Sequence, residues 1–543
     1  MKSWAMSEYA RDRLQRLSEA SSASEYLEIL ETFVALEDVE AAIGLVLLGE
    51  KKTQGLRAAT MRVVDQLLGE LPAVELPSFS KWVRRGVSLI THAWGRNWYG
   101  MSPPNLSAFE ELEGDVPRFW GLLTMHPNGF VREASLRRLA EVHSGAEIPF
   151  LLLRAGDWVP EIQIYAVDLL RARLQLEYAD DFADNLVLVM RLFDLGAPNV
   201  EVLGNDIVEL LSSEGVGPIL LNQIRTGRRR ERRIAFSIAL KSSNSVARAA
   251  INAAARSEDD VLRTKAVRAA SEYLSRDETR ALLVRHRRDP HRVVRRDVAW
   301  CFVDYFPDEA EPVLREMLFD SSATNRHFAR FHLRRRGDWD FREIYEELLE
   351  AEELRLRLAG LCGLGDIGES TNVERIVSLI DDESPRLRRA AIDALSAIDA
   401  CAHAEHFYTA LDDEVRAVSR AAAKGLRGTR SRLSGRRLWS KYAVGYPGHV
   451  ATNALFAARA LSSWPRLEFL FRAVPHTEDS EERDRLFALL DTWCERSRRL
   501  FVTPSDDDAA RIWRVFHATR EILPEALRHR IGEILNRKLP PRA

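Results

Sequence analysis

Cys401, His403 and His406 place three metal-competent donors within six residues, with Asp412 close behind. On a helix His403 and His406, at i and i+3, share a face. Zinc asks for three or four convergent ligands, however, and no second ligand pair of standard spacing follows. The expectation is no metal, with these three residues the only candidates. Gly363, Gly365 and Gly368 spell G-x-G-x-x-G. A dinucleotide-binding version follows a strand and opens a helix, whereas this one follows the helical apolar pattern of Leu354 to Leu364. It reads as helix termination, and no cofactor is expected. The sequence contains no HExxH, no Walker lysine loop, no GxSxG elbow and no paired-cysteine zinc pattern. The chain therefore reads as a binding protein rather than an enzyme, with only a site assembled from scattered residues left open.

Arginine carries the strongest signal. Arg228, Arg229, Arg230, Arg232 and Arg233 form one cluster, and Arg285, Arg287, Arg288, Arg292, Arg295 and Arg296, with His286 and His291, form another. Residues 225–300 hold 20 basic and 9 acidic side chains, whereas residues 1–224 hold 20 and 32, so a formal net charge of −3 conceals a basic island beside an acidic region. Guanidinium forks suit phosphate and carboxylate alike. Nucleic acid, an acidic or phosphorylated protein segment and the chain's own acidic region are all chemically possible occupants. The plain alternative is a solvated rim interleaved with Glu231, Asp259, Asp260 and Asp297. Trp94, Trp98 and Tyr99 lie in WGRNWYG and have the chemistry to stack on a partner.

The elements that must position these residues come in a repeat. Arg263, Arg295, Arg326, Arg357 and Arg388 are separated by 32, 31, 31 and 31 residues. Such a period marks units that bury their apolar faces by stacking on one another. In the unit Leu364–Leu395, Gly365 and Gly368 are expected to end one helix, and Ser370 or Thr371 to cap the next. Val373, Ile376, Val377 and Ile380 then form a helical stripe, Asp381 to Pro385 a turn, and Leu387, Ala391, Ala394, Leu395 and Ile398 the second buried stripe. Arg132 with Ala134 and Leu139, and Arg57 with Ala59 and Val64, repeat the pattern upstream.

Two stretches interrupt it. Residues 71–107, rich in proline, glycine and tryptophan, read as an irregular insertion, and residues 428–453 read as a linker. Four scattered cysteines exclude a disulfide framework. No apolar run approaches the roughly 20 residues needed to cross a bilayer. With an N-terminus that lacks a signal-peptide core, the expectation is a cytoplasmic protein.

This pattern resembles the HEAT repeat, in the short bacterial form also found in phycocyanobilin lyase-like proteins. Leu354–Leu426 carries the resemblance, and 225–353 shows it more loosely. It implies an all-α fold, a right-handed α-solenoid of antiparallel helix pairs. The expected organisation is an acidic N-terminal helical region over 1–224, regular repeats over 225–427, and a linker with a helical C-terminal cap over 428–543. Asp289, Asp320, Glu352 and Asp382 precede the register arginines by five or six residues. In the family the turn acid and the helix-start arginine form a ladder between repeats, which implies structural roles for Arg263, Arg295, Arg326, Arg357 and Arg388 with Asp289, Asp320 and Asp382. Lys265, Asp297 and Phe328 replace the usual small residue two positions after the arginine, which points to distortion or specialised surface there.

The leading functional reading is a non-enzymatic scaffold that binds a protein partner through its concave surface and the arginine rim, with no membrane partner. The partner-facing candidates are Arg228, Arg229, Arg230, Arg232, Arg233, Arg285, Arg287, Arg288, Arg292 and Arg296, with Trp94 and Trp98. The alternatives are a nucleic-acid binder resembling HEAT-like DNA glycosylases and, on repeat type alone, a bilin lyase-like enzyme.

Overall fold

The computed structural model describes residues 4–50, 52–85, 98–110, 116–369, 373–429, 432–443, 448–497 and 502–539. Among these residues the chain forms 33 α-helices, a few short 3-10 turns and no strand. Among the described residues no helix is long and apolar enough to cross a membrane. The chain divides into two compact units, Met1–Cys301 and Phe302–Ala543. That boundary falls within the expected regular stretch 225–427, not at either of its ends.

Local chemistry sets each helix. Helix Arg276–His286 opens on a reciprocal cap: Ser275 Oγ accepts from the Glu278 amide at 3.3 Å, and the Glu278 carboxylate accepts from the Ser275 amide at 2.9 Å. Helix Leu354–Ile367 stops at Gly368, whose φ of 77° is the left-handed conformation that glycine adopts without a side-chain clash. Gly365, expected at the same terminus, lies inside that helix. Ser370 and Thr371, the expected caps of the next one, lie outside the described residues.

The helices then pack as pairs. In the second unit Phe341–Leu349 pairs with Leu354–Ile367, Val373–Ser378 with Pro385–Asp399, and Ala404–Ala410 with Arg416–Gly428. The second helices of these pairs stack on one another in chain order. Their contact faces are built of small residues. Ala390, Ala391, Ala394, Ala421, Ala422 and Ala423 are buried, and a Cβ on Gly365 would come within 2.8 Å of the Ala394 Cα. In the first unit Gly217–Thr226 pairs with Arg229–Ala239, and Asn244–Ala255 with Asp260–Tyr273.

The two interruptions are more helical than their composition suggests. Residues 71–107 include helix Leu76–Arg85 and the start of helix Pro103–Glu110, whose prolines sit in the first turn, where a missing N–H costs nothing. The stretch 428–453, expected as a linker, holds helix Gly435–Ala443 and the start of Gly448–Ala458. These two pack on each other, and the second stacks on Arg416–Gly428, so the pairwise packing continues. Helices Ser463–His476, Ser480–Arg496, Asp506–Thr519 and Glu525–Lys538 follow.

The close approach of helices gives a test. A Cβ on Gly363 would lie 2.4 Å from the Tyr345 ring, and that ring is held by a hydroxyl bond to Leu318 O and by Arg330. Gly363→Ala should therefore lower stability by about 1–3 kcal/mol through overpacking, although alanine alone improves helix propensity by about 1 kcal/mol. Gly55→Ala, where a Cβ meets nothing within 4 Å, should be neutral or stabilising. Urea unfolding midpoints of the two variants check the contrast.

Candidate functional site: the charged rim

A turn aspartate and an arginine from the preceding repeat build the rim. Asp289 Oδ1 accepts from the His291 amide at 2.8 Å and so fixes the turn. The same carboxylate receives Arg263 Nε at 2.7 Å and Nη2 at 2.9 Å. Arg263 Nη1 bonds back to Ser257 O and Glu258 O of its own turn, both at 2.9 Å. Each arginine thus grips two consecutive turns. Burial pushes the Asp289 carboxyl up, but the bonds from Arg263 and the His291 amide outweigh it and hold the group below its ordinary value.

The arrangement recurs. Arg388 meets Asp413 at 2.8 and 3.1 Å and returns to Asp382 O and Glu383 O. Arg357 meets Asp382 at 3.0 Å. Arg295 holds Asp289 O at 2.7 Å and Pro290 O at 3.0 Å. Arg326 departs from the expected ladder: it keeps Asp320 O at 2.8 Å but sends its fork to Asp366, at 2.8 and 3.0 Å. The cause is local. Glu352 stands where other turns have aspartate, it is exposed, and no side chain caps helix Leu354–Ile367. Asp320 itself caps its turn through the Ser322 amide at 2.8 Å.

The rung geometry reassigns one expected partner-binding residue. Arg233 bonds Asp259 with Nε and Nη2, both at 2.7 Å, and so belongs to the ladder. Its Asp259 carboxyl is held below the ordinary value chiefly by that bond. Arg232 is drawn to Gly227 O at 2.5 Å. The substitutions at the small position are also tied down: Lys265 Nζ reaches Ser237 Oγ at 3.0 Å, and Asp297 accepts from Arg268 Nε at 2.5 Å. In the second unit Phe328 stacks obliquely on His332.

What remains exposed of the two clusters follows the same rim. Arg228, Arg229 and Arg230 lie at the turn into helix Arg229–Ala239, while Arg285, Arg288 and Arg292 lie at the turn two repeats later. Arg287 and Arg296 are partly buried there. Asp260, on the intervening turn, stands 3.4 Å from Arg229 and 3.3 Å from His291. The rim is an alternation of charge, in which arginines outnumber carboxylates. On helix Arg292–Tyr305, Arg292, Arg296 and Trp300 are spaced four apart and share one face, and Trp300 is 55% exposed.

A node that the sequence reading missed lies near the N-terminal end of the ladder. Asp157 accepts from Arg132 at 2.9 and 3.1 Å, from Arg154 at 2.7 Å and from Arg84 at 3.2 Å. Trp158 covers the cluster, with its ring 4.1 Å from the Arg84 guanidinium and 4.6 Å from that of Arg132. Burial, with Arg132 adding like charge, pushes Arg84 down to about 10. The signal was available: Asp157 follows Arg132 by 25 residues, the spacing that separates Arg357 from Asp382 and Arg388 from Asp413.

The remaining candidates do not join the rim. Trp98 is fully buried against His126, with ring centroids 4.5 Å apart, so it is core rather than a stacking platform. Trp94 lies outside the described residues. Cys401 Sγ faces Thr429 O at 3.8 Å, the His403 and His406 rings are 5.7 Å apart, and no metal-competent group of three or more donors occurs among the described residues.

Comparison with known proteins agrees with this geometry. The family described as HEAT repeats matches residues 341–427. The ladder and helix pairs of that stretch are therefore those of HEAT repeats. No curated protein matches it in sequence. Among solved structures, yeast importin-beta is similar over 98% of this chain and 69% of its own, at 12% identity and a TM-score of 0.34. Importin beta in an ammonium sulfate condition is similar over 98% and 70%, at 13% identity and a TM-score of 0.33.

Two outcomes are expected. Asp157→Ala leaves three arginines without their shared carboxylate and should cost about 3–5 kcal/mol, the range for breaking a buried pair. Arg228→Ala with Arg230→Ala should leave thermal stability nearly unchanged. Equal melting shifts in the two would reject this division of the arginines.

His126 supplies the pH test. The Asn128 amide donates to its Nδ1 at 3.0 Å, so Nε2 carries the proton and donates to Trp98 O at 2.7 Å. Burial lowers its pKa to about 4. In the unfolded chain the imidazole titrates near its ordinary value, so the unfolded state binds the extra proton between roughly pH 6.5 and 4. Stability is full above that window and falls within it by about 1.4 kcal/mol per pH unit from this group. Urea unfolding across that window should show a shallower decline for His126→Gln, and parallel declines would refute the assignment.

Proposed function

We propose that the chain is a non-enzymatic scaffold that docks an acidic protein segment along the rim formed by Arg228, Arg229, Arg230, Arg285, Arg287, Arg288, Arg292 and Arg296. The observation that carries the reading is the stripe Arg292, Arg296 and Trp300. Arginine and tryptophan are the residue types that most often anchor protein interfaces, and here they share one helix face beside the basic turns. Arg228, Arg230 and Arg285 add exposed positive charge and make no ion pair with a described residue. The interleaved Asp259, Asp260 and Asp297 favour a short, patterned acidic ligand over a long uniform polyanion. Burial of Trp98 removes one stacking residue on which a nucleic-acid reading leaned.

Fluorescence anisotropy with a panel of labelled acidic peptides and with duplex DNA tests this. A subset of peptides should bind in a sequence-dependent way, and Trp300→Ala or Arg292→Glu should weaken them by on the order of tenfold or more. Duplex binding should be weak at physiological salt. Tight duplex binding, steeply salt-dependent and abolished by charge reversal at Arg287, Arg288 and Arg292, would replace the protein reading with a nucleic-acid one.

A further inference from the structure

The second unit holds a cavity of about 290 Å³ lined by Arg427, Arg459, Arg466 and Arg496 over an apolar floor of Leu455, Ala458, Phe469, Leu470, Leu489 and Trp493. Four helices contribute. Arg427 ends Arg416–Gly428, Arg459 follows Gly448–Ala458, Arg466 opens Ser463–His476, and Arg496 closes Ser480–Arg496. Among the described residues no aspartate or glutamate lines the cavity.

In the rungs of Arg233, Arg263, Arg357 and Arg388 the guanidinium is answered by a carboxylate. Here it is not. Arg427 gives one bond to Phe456 O, and Arg466 gives two to Leu461 O. None of the four makes an ion pair with a described residue. The second unit's undescribed stretches, 370–372, 430–431, 444–447, 498–501 and 540–543, contain no acidic residue. The four charges act on one another: burial lowers the Arg466 pKa, and Arg496, Arg459 and Arg427 lower it further. Helix C-terminal dipoles favour cations at Arg427, Arg459 and Arg496, but each offers only about half a charge. Among the described residues only Phe456 O and Leu461 O accept hydrogen bonds from these four guanidinium groups, with Arg427 and Arg466 half-buried and Arg459 and Arg496 exposed, and like charges gathered without a counter-ion favour an anion among them.

We propose that this cavity is a binding site for a small organic polyphosphate, in which two or more phosphate groups meet the four arginines and an attached apolar or aromatic body lies on Phe469, Leu470 and Trp493. Arginine forks match phosphate oxygens bidentately. Convergent polar groups above an apolar floor are the ordinary construction of a small-molecule site. A nucleoside diphosphate and a prenyl diphosphate share this chemistry and differ in the body that the floor would receive. The site lies in the second unit and is independent of the rim.

Isothermal titration of the full chain with inorganic pyrophosphate, ADP and geranyl diphosphate tests it and separates the two sources. At least one organic diphosphate should bind tenfold or more tightly than pyrophosphate, and which one does identifies the body. Arg459→Ala with Arg496→Ala removes two exposed side chains that make no described hydrogen bond. This pair should weaken binding by on the order of tenfold per arginine while the melting temperature of the ligand-free protein holds or rises, because two like charges are removed. Arg459→Lys should recover only part of the loss, because a point charge lacks the fork. The proposal is overturned if neither organic diphosphate outbinds pyrophosphate, or if the double variant binds as well as the parent chain.

Discussion

Apolar stacking holds helix pairs together but does not by itself set how far one pair slides along the next. Burial is nearly non-directional, and faces built of alanine and glycine are smooth. The rung supplies the missing direction. One arginine bonds the carbonyls of its own turn and the carboxylate of the next, and that carboxylate is already fixed by capping the helix it introduces. A slip of one residue would break bonds at both ends. Asp366 shows the strength of the demand: where Glu352 cannot supply a turn carboxylate, Arg326 takes one from a neighbouring helix instead of going without.

The same geometry explains which features could be read from the sequence. The period, the stop at Gly368 and the buried stripes of Leu387, Ala391 and Leu395 follow from local rules, and they appear as expected. Arg233 joins the ladder, and a run of arginines alone does not reveal which member the next turn captures. The spacing of 26 residues to Asp259 does reveal it, once the rung is known. The Asp157 node was missed for a related reason, since Arg84 and Arg154 approach from positions that the repeat does not specify. Trp98 sits in a segment whose glycines and prolines resemble those of a loop, and only the tertiary contact with His126 shows that it is core.

Charge that the fold consumes and charge that it leaves over are therefore different quantities. The basic island is large in composition, yet much of it is neutralised within the rim, by Asp259, Asp289 and Asp297. The C-terminal half has a nearly balanced composition, which drew no attention to it. Its four converging arginines come from positions 427 to 496, too far apart in sequence to register as a cluster, and among the described residues they lack the acids that accompany the rung arginines.

Composition locates positive charge, but only the pairing pattern shows where the field remains uncompensated. A guanidinium in a rung faces a carboxylate at 3.0 Å or less, so its potential falls off as a dipole's. Four guanidinium groups that share a concave, partly desolvated space add as monopoles, and low-dielectric walls concentrate their field on the opening. For equal numbers of arginines, the attraction for a small anion is far greater in the second arrangement. The rim, with its alternating signs, is suited to selecting among extended partners by pattern, and the cavity is suited to selecting by charge density. Both properties follow from where the rung aspartates are placed and where they are missing.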